Sequence, residues 1–396
     1  GVGVAGIHAP EPGFVGLQLK TVREGFPIAA AKTGMLFSAE IIEAVEAGLQ
    51  GREFPLVVDP VCVSQSGQRL LREDAVNALR WHILPKADLL TPNRPEAELL
   101  ADMKIDSEKD IDVAVICTDI KDHARAACEM LGMNIHTIVE KPMSLTMADA
   151  KAMYAAAKKS EAELIINWPI AWFPTFNKVK ELADAGKAGE ILRVQYRSPA
   201  TTGPYEPGSM DEEKMKKLWW YKRELGGGAI CDYTCYGCVL ATWITGKTAK
   251  SVNGMRTNTF LKFSDVEDYS LFVMDFDGCI GLAEGSWATI SDGQIATGPV
   301  VYGTKGVIVG DRRDPEVKVY TTPVWHTQTL DPDEVYKCCG MDDGLPKNVY
   351  EHLVNSKPLH ELLTLDFNMK AQAAFDAGIR SCDSGNTENT ESFTLE

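Results

Sequence analysis

From Ala29 to about Ser160 the chain alternates short apolar runs with amphipathic stretches. The runs "AAAK" (29–32), "PLVVD" (55–59), "ADLL" (87–90), "DVAVICT" (112–118), "IHTIVE" (135–140) and "ELIIN" (163–167) predict strands. Segments such as "SAEIIEAVEAGL" (38–49) predict the helices between them. Ser38 is placed to cap that helix. Ile41, three residues on, is apolar, so the reciprocal half of a capping box is missing and Glu40 contributes through the helix dipole alone. Strand, helix, strand repetition implies a parallel sheet with helices on its faces.

Beyond Gly246 the pattern changes. "SLFVMDF" (270–276), "CIGLAEGSWATI" (279–290), "PVVYG" (299–303), "GVIVG" (306–310) and "VKVYTT" (317–322) follow one another without intervening helices, which predicts an antiparallel or mixed sheet. "DFNMKAQAAFDAGIRSC" (366–382) predicts a closing helix, and the polar tail from 384 to 396 is expected to be loose.

A chain of 396 residues has room for two or three domains, each with its own core. The net charge of −16 argues against nucleic acid, which needs a basic footprint. No apolar run reaches the ~18 residues of a membrane helix, and the start "GVGVAGIHAPEPG" lacks the basic and apolar segments of a signal peptide. The first residue is Gly, so the chain reads as processed, trimmed or a fragment. Ten cysteines without framework spacing imply reduced thiols and a cytoplasmic setting. Cys231, Cys235 and Cys238 could share one helix face, but no fourth ligand accompanies them; the reading is packing, with no metal.

Four ordered blocks fill the first hundred residues: "GIHAPEPGFVGLQLKTV", "AAAKTGMLFSAEIIEAVEAGL", "VVDPVCVSQSGQRLLREDAV" and "ILPKADLLTPNRPEAELL". They resemble hydroxymethylpyrimidine phosphate kinase of the ribokinase-like superfamily. The resemblance implies that Asn93 and Glu96 organise magnesium and ATP phosphates, and that Met35 lines a pyrimidine pocket. A local reading stands beside it: Glu96 in a first helical turn favours the dipole and Asn93 is a common turn residue. The family's glycine-rich loops are missing, and Gln65 stands where the family has a basic residue. Phosphoryl transfer depends on positioning and charge stabilisation, so this part is expected to be inactive as a kinase.

From residue 112 onward other blocks appear: "DVAVICT", "VEKPMS", "KELADAGKAGEILRVQY", "GGGAICDYTCYGCVLATWITG", "VEDYSLFVMDFDGCIGLAEGSW" and "GTKG". They resemble the glucose–fructose oxidoreductase and inositol dehydrogenase family (Gfo/Idh/MocA). The resemblance implies hydride transfer between NAD or NADP and a secondary hydroxyl of a sugar, cyclitol or sugar derivative. Lys141 of Glu140-Lys141-Pro142 would sit beside the nicotinamide and the reacting carbon and help move the alcohol proton. Asp232 and Tyr236, four apart on a predicted helix, would share a face, Tyr236 acting with Lys141 and Asp232 orienting substrate. Thr118, His123, Glu140 and Lys141 would meet the cofactor; Asn167, Trp168, Trp172, Trp219 and Tyr221 would wall the substrate, with Lys222 and Arg223 able to meet a carboxylate. In this family the open face of the C-terminal sheet pairs subunits, so a homo-oligomer is expected.

The family's opening glycine loop is not found ahead of these blocks. Gly1-x-Gly3-x-x-Gly6 matches the dinucleotide fingerprint in letters but has no strand before it and "HAPEP" after it, so it is set aside. NAD(P) binding is accordingly expected to be weak or lost. The expected organisation is a kinase-like α/β fragment (1–110), the remainder of a Rossmann-like nucleotide domain (111–165), an α+β substrate and oligomerisation domain (166–383) and a tail (384–396). The kinase-like units are expected to extend the Rossmann-like parallel sheet into one hybrid sheet. Two alternatives are a kinase-type activity with ATP and magnesium, and a noncatalytic chimera that binds or oligomerises.

Overall fold

The computed structural model describes residues 8–63, 70–87, 89–104, 111–199, 211–287, 296–312, 314–321, 331–338 and 344–394. Gly1, Gly3, Gly6 and Gln65, singled out above, lie outside the described residues, as do parts of the runs 279–290 and 317–322. The chain divides into two compact units, Gly1–Ile111 and Asp112–Glu396.

The first unit runs α1 (Pro12–Gly25), β1 (Ala31–Thr33), α2 (Ala39–Leu49), β2 (Leu56–Val58), α3 (Glu73–Ala78), β3 (Leu89–Leu90) and α4 (Arg94–Ala101). β1, β2 and β3 pair in parallel in that order. Helix α2 starts where expected, the Ser38 hydroxyl accepting from the Ile41 amide at 3.4 Å. Its apolar stripe, Ile41, Ile42, Val45 and Leu49, is buried together with Leu56 and Val58 of β2. That stripe repeats at helical spacing, which is why α2 rather than a strand fills this position.

The second unit begins with β4 (Val113–Ile116), α5 (Ile120–Gly132), β5 (His136–Glu140), α6 (Met147–Lys159) and β6 (Leu164–Asn167). β4, β5 and β6 form a second parallel sheet. Then come α7 (Pro174–Asp184), β7 (Ile191–Pro199), α8 (Glu212–Met215), α9 (Cys235–Thr245), β8 (Ser251–Thr257), β9 (Tyr269–Asp275), β10 (Ile280–Ser286), β11 (Pro299–Gly303), β12 (Val307–Val309), β13 (Glu316–Tyr320), β14 (Glu334–Lys337), α10 (Gly344–Asn355), α11 (Leu365–Ser384) and β15 (Glu388–Asn389). Among the described residues nine strands make one mixed sheet, ordered β14-β13-β12-β11-β7-β10-β9-β8-β15. Only the β7–β10 pair is parallel.

Parallel sheets followed by a large mixed sheet are the α/β class that the pattern implies. Three finer expectations change. Instead of one expected sheet, each unit has its own: among the described residues β1–β3 pair with one another, and β4–β6 with one another. Strands as short as the two residues of β3 offer few backbone groups on which a further strand can pair. The tail is tied down as far as Asn389. Glu388 and Asn389 pair with Val252 and Ser251 of β8, and the Arg380 guanidinium reaches Glu388 Oε2 at 2.8 Å. Helix α10 interrupts the run of elements after β14, where no helix was expected.

The alternation in β9 and β10 sorts residues by face. Ser270, Phe272 and Met274, with Gly281, Ala283 and Gly285, are buried beneath the helices, while Val273 and Ile280 point outward. Helix α9 comes so close to β10 that a side chain at Gly237 would overlap Ala283. Helix α11 does the same over β9 at Gly378 and Phe272. These glycines set the helix-to-sheet distance, and with it the position of the turn that leads into α9.

Candidate functional site

The parallel strands β4 and β5 end side by side, and their carboxyl ends open into a cleft of about 160 Å³. Cys117, Thr118, Ile120 and His123 line it from the end of β4 and the start of α5, Glu140 and Lys141 from the end of β5. Trp219, Trp220, Gly226, Cys231 and Asp232 complete it from the segment before α9. Ligands of open α/β sheets collect at this end of the strands.

Three glycines let that last segment close on the sheet. Gly226 has φ +90°, and a Cβ there would stand 2.7 Å from Ile120 Cβ. A side chain at Gly227 would overlap the Trp220 carbonyl, and one at Gly228 (φ +105°) would overlap the Glu267 carboxylate. Glu267, buried, accepts from the Ile230 amide at 2.9 Å. Residues Ile230–Thr234 then form a π-helical turn, not the continuous α-helix expected here. Such wide turns recur at functional sites.

Asp232 sits in that turn. The Lys141 ammonium donates to its backbone carbonyl at 2.8 Å and to Oδ1 at 3.3 Å, and both side chains are 15% exposed. Lys141 Nζ also lies 4.7 Å from the centre of the Tyr236 ring. Burial works against the Lys141 ammonium. The electrostatic pull of Cys235, Tyr236 and Asp232 outweighs burial and holds its pKa above the ordinary lysine value. Burial pushes the Tyr236 phenol well up, with Lys141 opposing, and pushes the Cys235 thiol up to about 12. Tyr236 therefore keeps its proton at neutral pH and meets Lys141 through its ring face. Asp232 and Tyr236 do converge on one lysine, though through a π-turn.

The other site residues divide. Thr118 is exposed at the cleft. His123 is buried, with Nδ1 3.1 Å from the Pro142 carbonyl and Nε2 3.2 Å from the Thr118 carbonyl. Both ring nitrogens thus lie against carbonyls of the loops that follow β4 and β5, the neutral ring donating to one of them, so His123 positions the cleft walls. Glu140 accepts from Asn167 Nδ2 at 2.5 Å, which turns Asn167 toward the sheet.

Trp168 is not a cleft wall. It is buried, donates to Asn368 Oδ1 at 2.7 Å and packs edge-on against Tyr236. Trp172 packs edge-on against His360 and does not line the cleft. Tyr221 is buried with Ala229, Val266 and Trp287. Trp219 does line the cleft, stacked on Trp220 with ring centres 3.9 Å apart. Arg223 is committed to the Asp265 carbonyl. Large aromatics next to a strand end serve core and cleft equally well in sequence, and burial decided between them.

Trp287 was missed. It is buried, and its indole N–H donates to Asp232 Oδ2 at 2.9 Å. Lys141 and Trp287 thus each hold one oxygen of the same carboxylate. Its place immediately after the β10 strand was the only sequence signal. Cys231, Cys235 and Cys238 are all buried, and Cys235 Sγ donates to the Cys231 carbonyl at 3.1 Å. Among the described residues no group of three His, Cys, Asp or Glu side chains is arranged to hold a metal.

In the first unit, Asn93 and Glu96 form a reciprocal capping box at the start of α4. Asn93 Oδ1 accepts from the Glu96 amide and Glu96 Oε2 from the Asn93 amide, each at 3.0 Å. Glu96 Oε1 accepts from the Cys62 amide at 2.9 Å, and the residue is only 3% exposed. Both oxygens of the Glu96 carboxylate thus accept from backbone amides. Met35 is exposed.

The second unit can be tested against a dinucleotide. Thr118 and Lys141 line its cleft at the ends of β4 and β5. A pyrophosphate needs a glycine-rich turn at a helix N-terminus. The junctions β4–α5 (117–119) and β5–α6 (141–146) contain no glycine, and α5 begins with Asp119 and Asp122. Asp119 and Asp122 place two carboxylates at that helix start.

Comparison with known proteins finds two matching regions, the first of which extends past the boundary between the two units. Residues 1–158 match the phosphomethylpyrimidine kinase family model, and residues 176–309 match that of the GFO/IDH/MocA C-terminal domain. The chain therefore joins a phosphomethylpyrimidine kinase-like region to an oxidoreductase fold of the Gfo/Idh/MocA type. A hydroxymethylpyrimidine/phosphomethylpyrimidine kinase from Synechococcus elongatus is 44% identical over 113 residues, 28% of this chain and 43% of that enzyme. The chain thus spans less than half the length of that relative. Among solved structures, an aldose-aldose oxidoreductase from Caulobacter crescentus complexed with glycerol aligns with a TM-score of 0.59 at 18% identity, covering 91% of this chain and 98% of that one. The WlbA dehydrogenase from Bordetella pertussis, in complex with NADH and UDP-GlcNAcA, aligns with a TM-score of 0.56 at 17% identity, covering 94% and 100%.

Proposed function

We propose that the second unit is the catalytic half of an NAD(P)-dependent oxidoreductase acting on a secondary hydroxyl of a sugar, cyclitol or sugar derivative, and that its cofactor site is impaired. The observation that carries this is the largely buried Lys141–Asp232 pair at the carboxyl ends of β4 and β5. A fixed ammonium there hydrogen-bonds the reacting oxygen and stabilises the charge that develops on it, the kind of help that general acid–base groups give. Asp232, held by Trp287, fixes the ammonium and can orient a neighbouring hydroxyl. Tyr236 supports the ammonium through its ring. Thr118, His123, Glu140 and Lys141 shape the nicotinamide side; Trp219 faces the substrate.

The domains proposed are the kinase-like fragment (1–110), the Rossmann-like remainder (111–165) and the substrate and oligomerisation domain (166–383). The open face of the large sheet, carrying Met255 (69% exposed), Ile280 (49%) and Val273 (36%), supports a homo-oligomer. Among the described residues no helix is long and apolar enough to cross a membrane; the ten cysteines without framework spacing support a cytoplasmic setting.

Calorimetric titration of the full chain with NAD⁺, NADP⁺ and MgATP tests the reading. The expected result is dinucleotide binding weaker than ~1 mM. Binding well below that would overturn the impaired cofactor site. MgATP binding with no dinucleotide binding would replace the reading with the kinase one.

A further inference from the structure

The cleft of the second unit has a charge balance that hydride chemistry leaves unused. Its lining carries two carboxylates, Glu140 and Asp232, against one ammonium, Lys141. Lys141 is committed to Asp232. Glu140 is bound by neutral donors, Asn167 Nδ2 at 2.5 Å and the Lys141 backbone amide at 3.2 Å. Among the described residues no cationic side chain forms an ion pair with it. His123 adds no positive charge, because burial lowers its pKa and outweighs the opposing pull of the Pro142 and Thr118 carbonyls and of Glu140. The Glu140 charge is felt within the cleft: burial pushes the Cys117 thiol up and Glu140 adds to it.

Trp219 and Trp220 line the same cleft, their rings 25° from parallel. Indole faces carry negative quadrupole density and are the strongest aromatic partners for a cation. A carboxylate held only by neutral donors and a double indole plate lining one cleft together favour a small organic cation.

We propose that this cleft binds a protonated amino sugar or amino cyclitol, its ammonium held between Glu140 and the Trp219–Trp220 pair. This rests on the reading of the cleft as a polyol site and narrows the substrate class within it.

Calorimetry on the full chain with D-glucosamine, N-acetyl-D-glucosamine and D-glucose tests it. Glucosamine is expected to bind ~10-fold more tightly than the two neutral sugars, the scale of one cation–aromatic contact and one ion pair. Glu140→Gln, which keeps the shape of the side chain, should erase that preference, and Trp220→Leu should reduce it independently. Equal binding of all three sugars would overturn the amine proposal while leaving a polyol site in place. No binding of any of them would overturn both, and a preference that survives Glu140→Gln in a folded variant would overturn the role given to Glu140.

Discussion

Lys141 and Asp232 stand 91 positions apart in the chain, yet the lysine ammonium donates both to the aspartate's backbone carbonyl, at 2.8 Å, and to its side-chain Oδ1, at 3.3 Å. The double contact makes the lysine a rigid cation fixed to the turn before α9. A long, flexible side chain is thereby preorganised, and preorganised charge is what an active site needs.

Lys141→Ala should lower any NAD(P)-dependent oxidation of a polyol by ~10²–10⁴-fold while changing dinucleotide affinity much less. Steady-state rates and calorimetry on the same preparation check this. An unchanged rate would remove Lys141 from the mechanism.

Trp287→Phe keeps the ring but removes the donor to Asp232 Oδ2. Leaving that partly buried oxygen without its donor should destabilise the second unit by ~1–3 kcal/mol, read from urea unfolding. Replacing Trp172, whose indole N–H has no partner, by Phe forfeits no hydrogen bond and serves as the control.

Acidification should destabilise the second unit. Burial lowers the pKa of His123 against the pull of the Pro142 and Thr118 carbonyls, and lowers that of His360 against Glu361. An unfolded histidine titrates near ~6.5. Between that value and the lower folded one the unfolded chain binds more protons, so stability is lost as pH falls below ~6.5. His352 works in the opposite sense: burial opposes its charge, but the Lys357 carbonyl and Glu163 prevail and its pKa is raised. Its contribution is present below ~6.5 and lost as pH rises through the folded value. Thermal melts at about pH 7.5 and 5.5 should show a smaller acid loss in His123→Asn than in the parent chain.

Glu96→Ala strips partners from the Cys62 and Asn93 amides. A loss of ~2–4 kcal/mol is expected, since two buried or half-buried donors are left unsatisfied. Faster proteolysis within residues 1–111 would register it. Magnesium should not alter the effect, because the carboxylate serves the backbone.

Ile280→Asp and Val273→Asp place charge on the open face of the large sheet. A homo-oligomer built there should dissociate, read as a drop in mass by light scattering. An unchanged assembly would move the interface elsewhere.

The sequence by itself determined the kinds of element and most of their places. The apolar periods gave β4, β5 and β6 to within two residues, and the pattern break at Gly246 announced the large sheet, because a period depends on neighbours a few positions away. It also marked Lys141, Asp232 and the three glycines. Tertiary structure decided what each aromatic and carboxylate does. Trp168 went to the core and Trp219 to the cleft, Glu96 to backbone amides and Glu140 to the cleft, and Trp287 came to Asp232 from 55 positions away. Among the described residues it paired β1–β3 with one another and β4–β6 with one another. Burial and pairing are properties of contacts between distant segments, and a local pattern carries no record of which distant segment will arrive.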